Sequence, residues 1–424
     1  MTKTLAARLD GGDLDGRLAQ IYVTDRAVAQ ARIKLGSLLD EFTSDHPELT
    51  PSLYTAAGRT EMGGNHTDHQ HGRVLAASVD METVAVAAPN GTRIIRVTST
   101  QYPEDVVDLD DLEPKPEEEG KSIALVRGIA RNLVDRGYSL EGATILTLSG
   151  VPGGSGLSSS AAFEVLIGNV LSHLFCNDEL SPVEIAKIGK YAENVYFGKP
   201  SGLMDQMACS IGGIIGIDFA DPNEPAITEV HFDLASSGYV MCIVDSGADH
   251  ADLTEDYADI TREMRAVARY FKKEYLRDVN PEEFWENLSG VRESIGDRAA
   301  ARAAHFFGDN ARVGEQVAAL SEGRFDDFLK YVEESGRSSG LYLQNLRSEA
   351  SADQSVVLTS ALADQLLGGS GAVRVHGGGF AGTVQAYVPA EDAETFKSRI
   401  EAVLGRGSCS VVTVRPVGGA FIAE

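Results

Sequence analysis

The chain has 424 residues, and its 37 Lys and Arg against 63 Asp and Glu give a formal net charge of −26. This acidic balance argues against nucleic acid and anionic lipid as partners, because both require a basic protein surface. A single hydrophobic core stops growing at roughly 250–300 residues, so at least two domains are expected.

Two further features favour a cytoplasmic protein without a membrane partner. The first residues lack the apolar run of a signal peptide, and no stretch approaches the roughly 20 apolar residues of a membrane span. The four cysteines are widely separated and form no CxxC pair, which is typical of reduced thiols rather than of zinc ligands or disulfides.

The first half of the chain is predicted to contain both helices and strands. Apolar spacing predicts a helix over 19–42 and strands over 84–88 and 94–98. The segment 103–120 contains nine Asp or Glu and predicts a solvated, mobile loop. Later predicted elements are a helix over 122–136, a strand over 143–149, a helix over 158–175, and a helix with Ser181 as N-cap and Glu184 three residues later.

The second half is predicted to be mainly helical up to about residue 367, and then strand, helix and strand. We place the domain boundary near residues 219–238, which predicts an N-terminal domain over 20–228 and a C-terminal domain over 229–424. A cleft between two such domains is the expected place for a ligand.

The segment 153–165 (GGSGLSSSAAFEV) lies between a predicted strand and a predicted helix. Its glycines let the backbone approach a ligand, and free N–H groups at the helix start favour phosphate. The hydroxyls of 158–160 are suitable Mg²⁺ ligands. An ordinary capped helix start is the alternative. A Walker loop is excluded, because the only Gly-Lys-Ser places Lys115 where the motif needs its first glycine.

The segment 57–72 (AGRTEMGGNHTDHQHG) is expected to form one short polar loop. Its polar members include Arg59, Asn65, His66, Asp68, His69 and His71. The first four are hydrogen-bonding groups of the kind that hold a polyhydroxylated ligand. Two alternatives are a merely structural loop and a metal hydrolase, in which the histidines and Asp68 would be ligands.

Two more segments contain residues of the kind found in ligand-binding or catalytic sites. In 199–206 (KPSGLMDQ), a tight turn presents Asp205, which can bind a substrate hydroxyl or act as a base, although it is also a common helix-cap residue. The segment 376–383 (HGGGFAGT) formally fits GxGxxG, but a strand is predicted after it. It therefore indicates a glycine-rich loop between strands rather than a dinucleotide site.

Together and in this order, these segments resemble the motifs of the GHMP kinases and, within them, of the galactokinase family. The family's sugar motif, GRVNLIGEHTDYNGG, is matched by 58–72, and its phosphate loop, PxGxGLSSSA, is matched by 152–161. Its CGIMDQ segment is matched by 201–206 and its glycine-rich GGGFGG by 377–382. The sugar motif departs most: its Val-Asn-Leu-Ile is replaced by 60–63 (TEMG), and its Glu before His-Thr-Asp is replaced by Asn65.

The resemblance implies an α+β fold of two domains with the active site in the cleft between them, and ATP-dependent phosphorylation of galactose at its C1 hydroxyl. Asp205 and Arg59 are implied as catalytic. The implied sugar contacts are Asn65, His66, Asp68, Gly202 and Tyr257. The implied ATP-binding residues are Gly153, Gly154, Ser155, Gly156, Leu157, Ser158 and Ser159, and the implied Mg²⁺ ligands are Ser160 and Glu193.

Two readings of the function stay open beside galactose phosphorylation. Asn65 removes a charge near the sugar's C6, so another galacto-configured or C6-modified sugar would also fit. A non-catalytic sugar sensor on the same scaffold is the other, although such a protein would be expected to have lost Asp205 or the phosphate loop. The partners expected are a sugar and ATP with Mg²⁺, and a monomer is favoured.

Overall fold

The computed structural model describes residues 3–100, 102–151, 156–199, 201–248, 254–348, 351–380 and 382–424. Of the residues expected to cradle phosphate, Gly153, Gly154 and Ser155 lie outside the described residues. Among the residues that are described, no helix combines the length and the apolar content needed to cross a bilayer.

Two β-sheets organise the described chain. In chain order the strands are β1 (Ser52–Gly63), β2 (Arg73–Pro89), β3 (Ile94–Ser99), β4 (Tyr102–Asp108), β5 (Ala143–Ser149), β6 (Ile214–Asp218), β7 (Ala226–Val230), β8 (Tyr239–Asp245), β9 (Ala372–His376), β10 (Thr383–Pro389), β11 (Cys409–Val412) and β12 (Ala420–Ala423). The eight-stranded sheet has the order β12-β1-β2-β5-β3-β4, with β6 beside β2 and β7 beside β6. The four-stranded sheet has the order β11-β8-β10-β9.

The α-helices cover both sheets. They are α1 (Leu5–Asp10), α2 (Asp15–Ile21), α3 (Asp25–Asp45), α4 (Ser122–Asp135), α5 (Ser159–Phe175), α6 (Pro182–Val195), α7 (Met204–Ile211), α8 (Thr254–Tyr270), α9 (Pro281–Glu286), α10 (Leu288–Ile295), α11 (Asp297–Ser321), α12 (Phe325–Ser338), α13 (Ser355–Leu367) and α14 (Ala393–Leu404). Helices α5 and α7 pack on β1 and β2, α12 packs on β9, and α13 and α14 pack on the four-stranded sheet. This mixture of helices and sheets agrees with the predicted α+β class.

Strand β2 explains how two layers of helices are held together. Its alternate residues point to opposite faces, as in any strand. Val84 and Val86 join the core formed with α1, α2 and α3, whereas Ala85 and Ala87 join the largest core, formed with α4 and α5. Both faces of β2 are therefore buried, and the strand is apolar throughout this part of its length.

Local signals at helix ends and in the last strands are confirmed. Ser181 caps α6 by accepting a hydrogen bond from the backbone N of Glu184 at 3.3 Å, and the Glu184 carboxylate accepts from the backbone N of Ser181 at 2.9 Å. The strand, helix and strand expected near the C-terminus are β10, α14 and β11. These features depend on residues close together in sequence, which is why the sequence indicates them.

Two predicted loops are wrong in part. The segment 103–120 forms β4 over most of its first half, because β4 pairs with β3 in antiparallel fashion. Its second half is held by Arg127, which forms two hydrogen bonds with the buried Glu118 carboxylate at 2.6 and 2.7 Å. The polar segment 57–72 is not one loop, because Arg59 lies on β1.

The division at residue 229 stays a prediction. The strand β12, at the end of the chain, pairs with β1 in antiparallel fashion. The last strand of the described chain therefore lies in the eight-stranded sheet, together with strands from the first 230 residues.

Glu118→Ala should lower the free energy of unfolding by about 3 kcal/mol, because it leaves the buried Arg127 guanidinium without its counter-ion. Urea unfolding measures this loss. Glu117→Ala, one residue earlier on an exposed side chain, is the matched control and should change stability by less than about 0.5 kcal/mol. Equal stability of the two variants would contradict the assigned ion pair.

Candidate active site

An ion pair between β1 and the start of α7 lies at the centre of the site. Arg59 on β1 donates from Nε to Oδ1 of Asp205 at 2.7 Å and from Nη2 to Oδ2 at 2.8 Å. Asp205 lies in the first turn of α7. The structure thus brings together the two residues expected to be catalytic, although they are 146 positions apart in the sequence.

The described end of the phosphate loop, residues 156–158, is attached to the same ion pair. Arg59 donates from Nη1 to the Gly156 carbonyl and from its backbone N to the Leu157 carbonyl at 3.1 Å. The Ser158 hydroxyl donates to Asp205 Oδ2. The loop therefore ends beside Asp205, and α5 begins directly after it at Ser159.

Ser158 has an unusual backbone for a residue that precedes a helix. Its φ is +56°, in the left-handed region, and in the described structure its side chain does not cap α5. Since the hydroxyl is used by Asp205, it does not take up an N–H group at the start of α5. Such N–H groups together with the helix dipole form a site for an anion.

The environment of Asp205 sets its charge. Burial raises the pKa of this carboxyl, but the charge of Arg59 and the hydrogen bonds from Arg59 and Ser158 outweigh that effect and lower it to about 2. The side chain keeps 29% of its surface exposed, so a ligand can reach it. Asp205 is therefore an ionised and weakly basic hydrogen-bond acceptor.

The two residues expected to hold Mg²⁺ lie side by side. The Ser160 hydroxyl on α5 donates to Glu193 Oε1 on α6 at 3.3 Å. A hydroxyl and a carboxylate are oxygen ligands that suit this hard cation. Among the described residues, here or in the rest of the fold, no group of three or more His, Cys, Asp or Glu is arranged to hold a metal. The pair would therefore provide only part of a coordination shell, as is usual for Mg²⁺ bound with substrate phosphates and water.

Lys199 was not predicted as part of this group. Its Nζ lies 2.8 Å from Glu193 Oε1, so it neutralises the carboxylate, and 55% of its side chain is exposed. The Ser201 hydroxyl and Gln206 Nε2, the latter at 2.9 Å, also donate to Glu193. The available signal was the position of Lys199 at the start of the segment 199–206.

Glu164 is an acidic residue near Glu193 that was also not predicted from the sequence. It is fully buried on α5, four residues after Ser160 and hence on the same helix face. Gln206 Nε2 donates to Glu164 Oε2 at 2.9 Å and so bridges it to Glu193. Burial, followed by the charge of Glu193, raises the pKa of Glu164 well above its usual range.

The expected sugar-binding residues meet next to Asp205. The Asp68 carboxylate packs against Gly202 so closely that a Cβ there would lie 2.2 Å from Oδ2. Burial raises the pKa of the Asp68 carboxyl, and the nearby charge of Asp205 raises it further, whereas His66 lowers it. This close approach explains why residue 202 is glycine.

The glycine-rich loop 377–379 closes the same region. His66 Nε2 hydrogen-bonds the Gly378 carbonyl at 2.9 Å, and the Tyr257 hydroxyl donates to the Gly379 carbonyl at 3.1 Å. The His66 and Tyr257 rings are stacked with their centroids 6.2 Å apart. The fifth expected sugar contact, Asn65, is different, because its side chain is fully buried and bonded to protein groups.

Two family models of known proteins match the parts of the chain that contain these residues. The family model described as the GHMP kinases N terminal domain matches residues 124–213, which include Ser160, Glu193 and Asp205. The galactokinase galactose-binding signature matches residues 40–89, which include Arg59 and Asp68.

Solved structures are similar to this chain in fold over most of its length. The galactokinase of Lactococcus lactis, solved with galactose, has a TM-score of 0.78 and 25% identity over 91% of this chain and 99% of that chain. The mevalonate kinase of Methanococcus jannaschii has a TM-score of 0.61 and 15% identity over 85% of this chain and 98% of that chain. Phosphomevalonate kinase of Streptococcus pneumoniae has a TM-score of 0.58 and 13% identity over 87% and 99%. The predicted α+β class and its likeness to GHMP kinase structures are confirmed, whereas the cleft between two domains stays a prediction.

Asp205→Asn should lower the free energy of unfolding by about 2 kcal/mol at pH 7, since Arg59 loses its anionic partner. The folded-state pKa of about 2 lies below the usual 3.8. The pair therefore stabilises the fold fully above about pH 5, and this contribution is lost as the pH falls from about 4 to about 2.

Urea unfolding between pH 7 and pH 3 should accordingly show wild type and Asp205→Asn converging as the pH falls. Asp10→Asn, at an exposed position, is the control and should follow wild type throughout. A gap between wild type and Asp205→Asn that stays constant down to pH 3 would contradict the low pKa of Asp205.

Proposed function

We propose that this chain, which is similar to the GHMP kinases in its matched family model and in its fold, acts as a galactokinase, which transfers the γ-phosphoryl group of ATP to the C1 hydroxyl of galactose. The products are galactose 1-phosphate and ADP. The observation that carries the proposal is the junction at Asp205, where Arg59, Ser158 and the start of α5 meet. The galactose-binding signature and the similarity to a galactokinase support the choice of sugar.

Phosphoryl transfer requires little covalent chemistry from a protein, and depends on alignment and on stabilisation of charge. In the proposed complex His66, Asp68 and Tyr257 hold the sugar, with its C1 hydroxyl directed at Asp205. The start of α5 binds the ATP phosphates through backbone N–H groups. Ser160 and Glu193 would hold Mg²⁺, which when bound neutralises charge on the phosphates.

The ion pair bears on how Asp205 acts. A carboxylate with a pKa of about 2 that is already bonded to Arg59 is a weak base. In a loose transition state the attacking oxygen keeps its proton until late, so a strong base is not required. We therefore assign Asp205 the task of accepting a hydrogen bond from the C1 hydroxyl and orienting it.

A kinase for a C6-modified galacto-configured sugar is the second candidate. The sequence raises it, because Asn65 stands where the family motif has Glu, but the buried and fully bonded side chain of Asn65 does not add support to it. A pocket that hydrogen-bonds a hydroxyl can discriminate strongly between sugars that differ there. The sensor alternative is weakened, because Ser158, Glu193 and Asp205 are all present and assembled.

The test is ADP release with ATP and Mg²⁺ on galactose, galactosamine, galacturonate and arabinose, with NMR identification of the phosphorylated carbon. The proposal expects the highest kcat/KM with galactose and phosphate at C1. A higher value with galacturonate would favour the second candidate. Absence of sugar-dependent ADP release from all four would overturn the enzyme assignment.

Asp205→Asn should lower kcat about 100-fold or more, because the hydroxyl loses its charged acceptor, while ATP binding by calorimetry stays within about threefold. Asp110→Asn is the matched control, since Asp110 also pairs with an arginine, Arg93, but at the edge of the eight-stranded sheet. Near-normal kcat in Asp205→Asn would refute the role of this residue.

Lys199→Met should strengthen binding of Mn²⁺ alone by about fivefold, because one ammonium charge near the metal costs roughly 1 kcal/mol in a watery environment. Electron paramagnetic resonance of free Mn²⁺ measures this without turnover. Lys190→Met, on the same helix as Glu193, serves as the control and should leave affinity unchanged. Weaker Mn²⁺ binding in Lys199→Met would count against Ser160 and Glu193 as the metal site.

A further inference from the structure

The side chain of Asn65 has no hydrogen-bonding capacity left for a ligand. Its Nδ2 donates to Glu61 Oε1 at 3.1 Å and to the Gly377 carbonyl at 2.6 Å. Its Oδ1 accepts from Ser339 Oγ at 3.2 Å and from Asn345 Nδ2 at 2.8 Å. An amide has two donor hydrogens and two lone pairs, so all four are used, and the residue is 0% exposed.

Two side chains of helix α11 hold the backbone of Asn65 as well. Its N donates to Asp309 Oδ2 at 2.8 Å, and its carbonyl hydrogen-bonds His305 Nε2 at 2.8 Å. Both partners are fully or almost fully buried. Turning the amide toward a sugar would therefore break several buried hydrogen bonds, each of which is costly to leave unmade.

Glu61 is the acidic partner of this amide. Its Oε1 pairs with Nη2 of Arg374 on β9, and its backbone carbonyl accepts from Arg374 Nη1 at 3.2 Å. Both residues are buried. In the family motif GRVNLIGEH, the position of Glu61 is Asn and the position of Asn65 is Glu. This chain has exchanged the acid and the amide, and the two exchanged side chains contact each other.

Asn65 also determines where the glycine-rich loop lies. It holds the Gly377 carbonyl directly, and Asn345, which bonds its Oδ1, donates to the Gly378 carbonyl at 3.1 Å. The same Gly378 carbonyl is the partner of His66. The amide thus sets the position of a loop that orients an expected sugar-binding side chain.

We propose that Asn65 is a positioning residue that locks the glycine-rich loop onto the sugar motif, and that it does not contact the sugar. Glu61 supplies the carboxylate of the exchanged pair, and this carboxylate pairs with Arg374. This inference rests on the proposed sugar kinase function. For the substrate it means that residue 65 does not read the C6 hydroxyl, so selectivity at C6 does not depend on it.

The first test compares galactose with 6-deoxygalactose. Asn65→Ala should lower kcat/KM for both sugars by the same factor, at least 10-fold, so that their ratio stays within twofold of wild type. A residue that bonds the C6 hydroxyl would instead affect galactose alone, and a fall of the ratio by 10-fold or more would overturn the proposal.

Ser339→Ala is the milder variant in case Asn65→Ala does not fold, because it removes one of the four hydrogen bonds. It should lower kcat/KM for both sugars by the same small factor, about threefold, and an unequal effect on the two would count against the proposal. Asn90→Ala removes amide hydrogen bonds at a distant turn and should leave both values unchanged.

The second test is the exchange itself, in Glu61→Asn, Asn65→Glu and the double variant. Each single change should lower kcat/KM at least 100-fold, because it leaves Arg374 without its acid or places two carboxylates together. The double variant should recover to within 10-fold of wild type. Losses that simply multiply would overturn the pairing.

The urea unfolding midpoints of the same variants keep the two proposals apart. If wild type phosphorylates neither sugar, the proposed function fails, while non-additive midpoints in the double variant would still support the exchanged pair. Active enzyme with additive midpoints and an altered sugar ratio would overturn the positioning role alone.

Discussion

The site depends on the buried charge of Arg59. A guanidinium placed inside β1 requires an anion with matched geometry, since an unpaired buried charge costs several kcal/mol. Asp205 supplies that anion, and its carboxylate accepts two parallel hydrogen bonds from Arg59 and a third from the Ser158 hydroxyl. Satisfying one charge therefore brings the sugar motif, the start of α7 and the phosphate loop to one place. The geometry of the proposed active site follows from electrostatics that the fold must satisfy in any case.

A second set of buried polar contacts joins the two sheets across the site. Thr60 on β1 hydrogen-bonds His376 at 2.9 Å, and Gln385 on β10 donates to Thr60 at 2.7 Å. Together with the pair of Glu61 and Arg374, these contacts connect β1 to β9 and β10. Hydrogen bonds are directional, whereas apolar packing tolerates sliding. These hydrogen bonds thus fix the position of the glycine-rich loop after β9 relative to the sugar motif. Apolar contacts alone would specify this position less closely.

Features that depend on residues close together in sequence could be predicted, whereas contacts between distant residues could not. The cap of α6 and the segment 199–206 were predictable, because their signals lie within a few residues. The contact of Glu61 with Arg374 spans 313 positions and leaves no local pattern. The segment 103–120 was misjudged for the same reason, since its composition is that of a loop while its order comes from β3 and from Arg127. The departures at 61 and 65 were visible, but their mutual contact was not.

Two cations described at the site are paired, and under the proposed function this has a consequence for how a strongly acidic chain binds ATP. Arg59 is committed to Asp205, and Lys199 to Glu193. Neither of these two cations offers a free positive charge to an incoming phosphate. In the proposed complex, neutralisation therefore comes from N–H groups at the start of α5 and from the divalent cation that accompanies ATP. The proposed function then predicts metal dependence from the arrangement of the protein's own charges. A net charge of −26 is compatible with an anionic substrate, because the attraction is local and is delivered largely with the substrate itself.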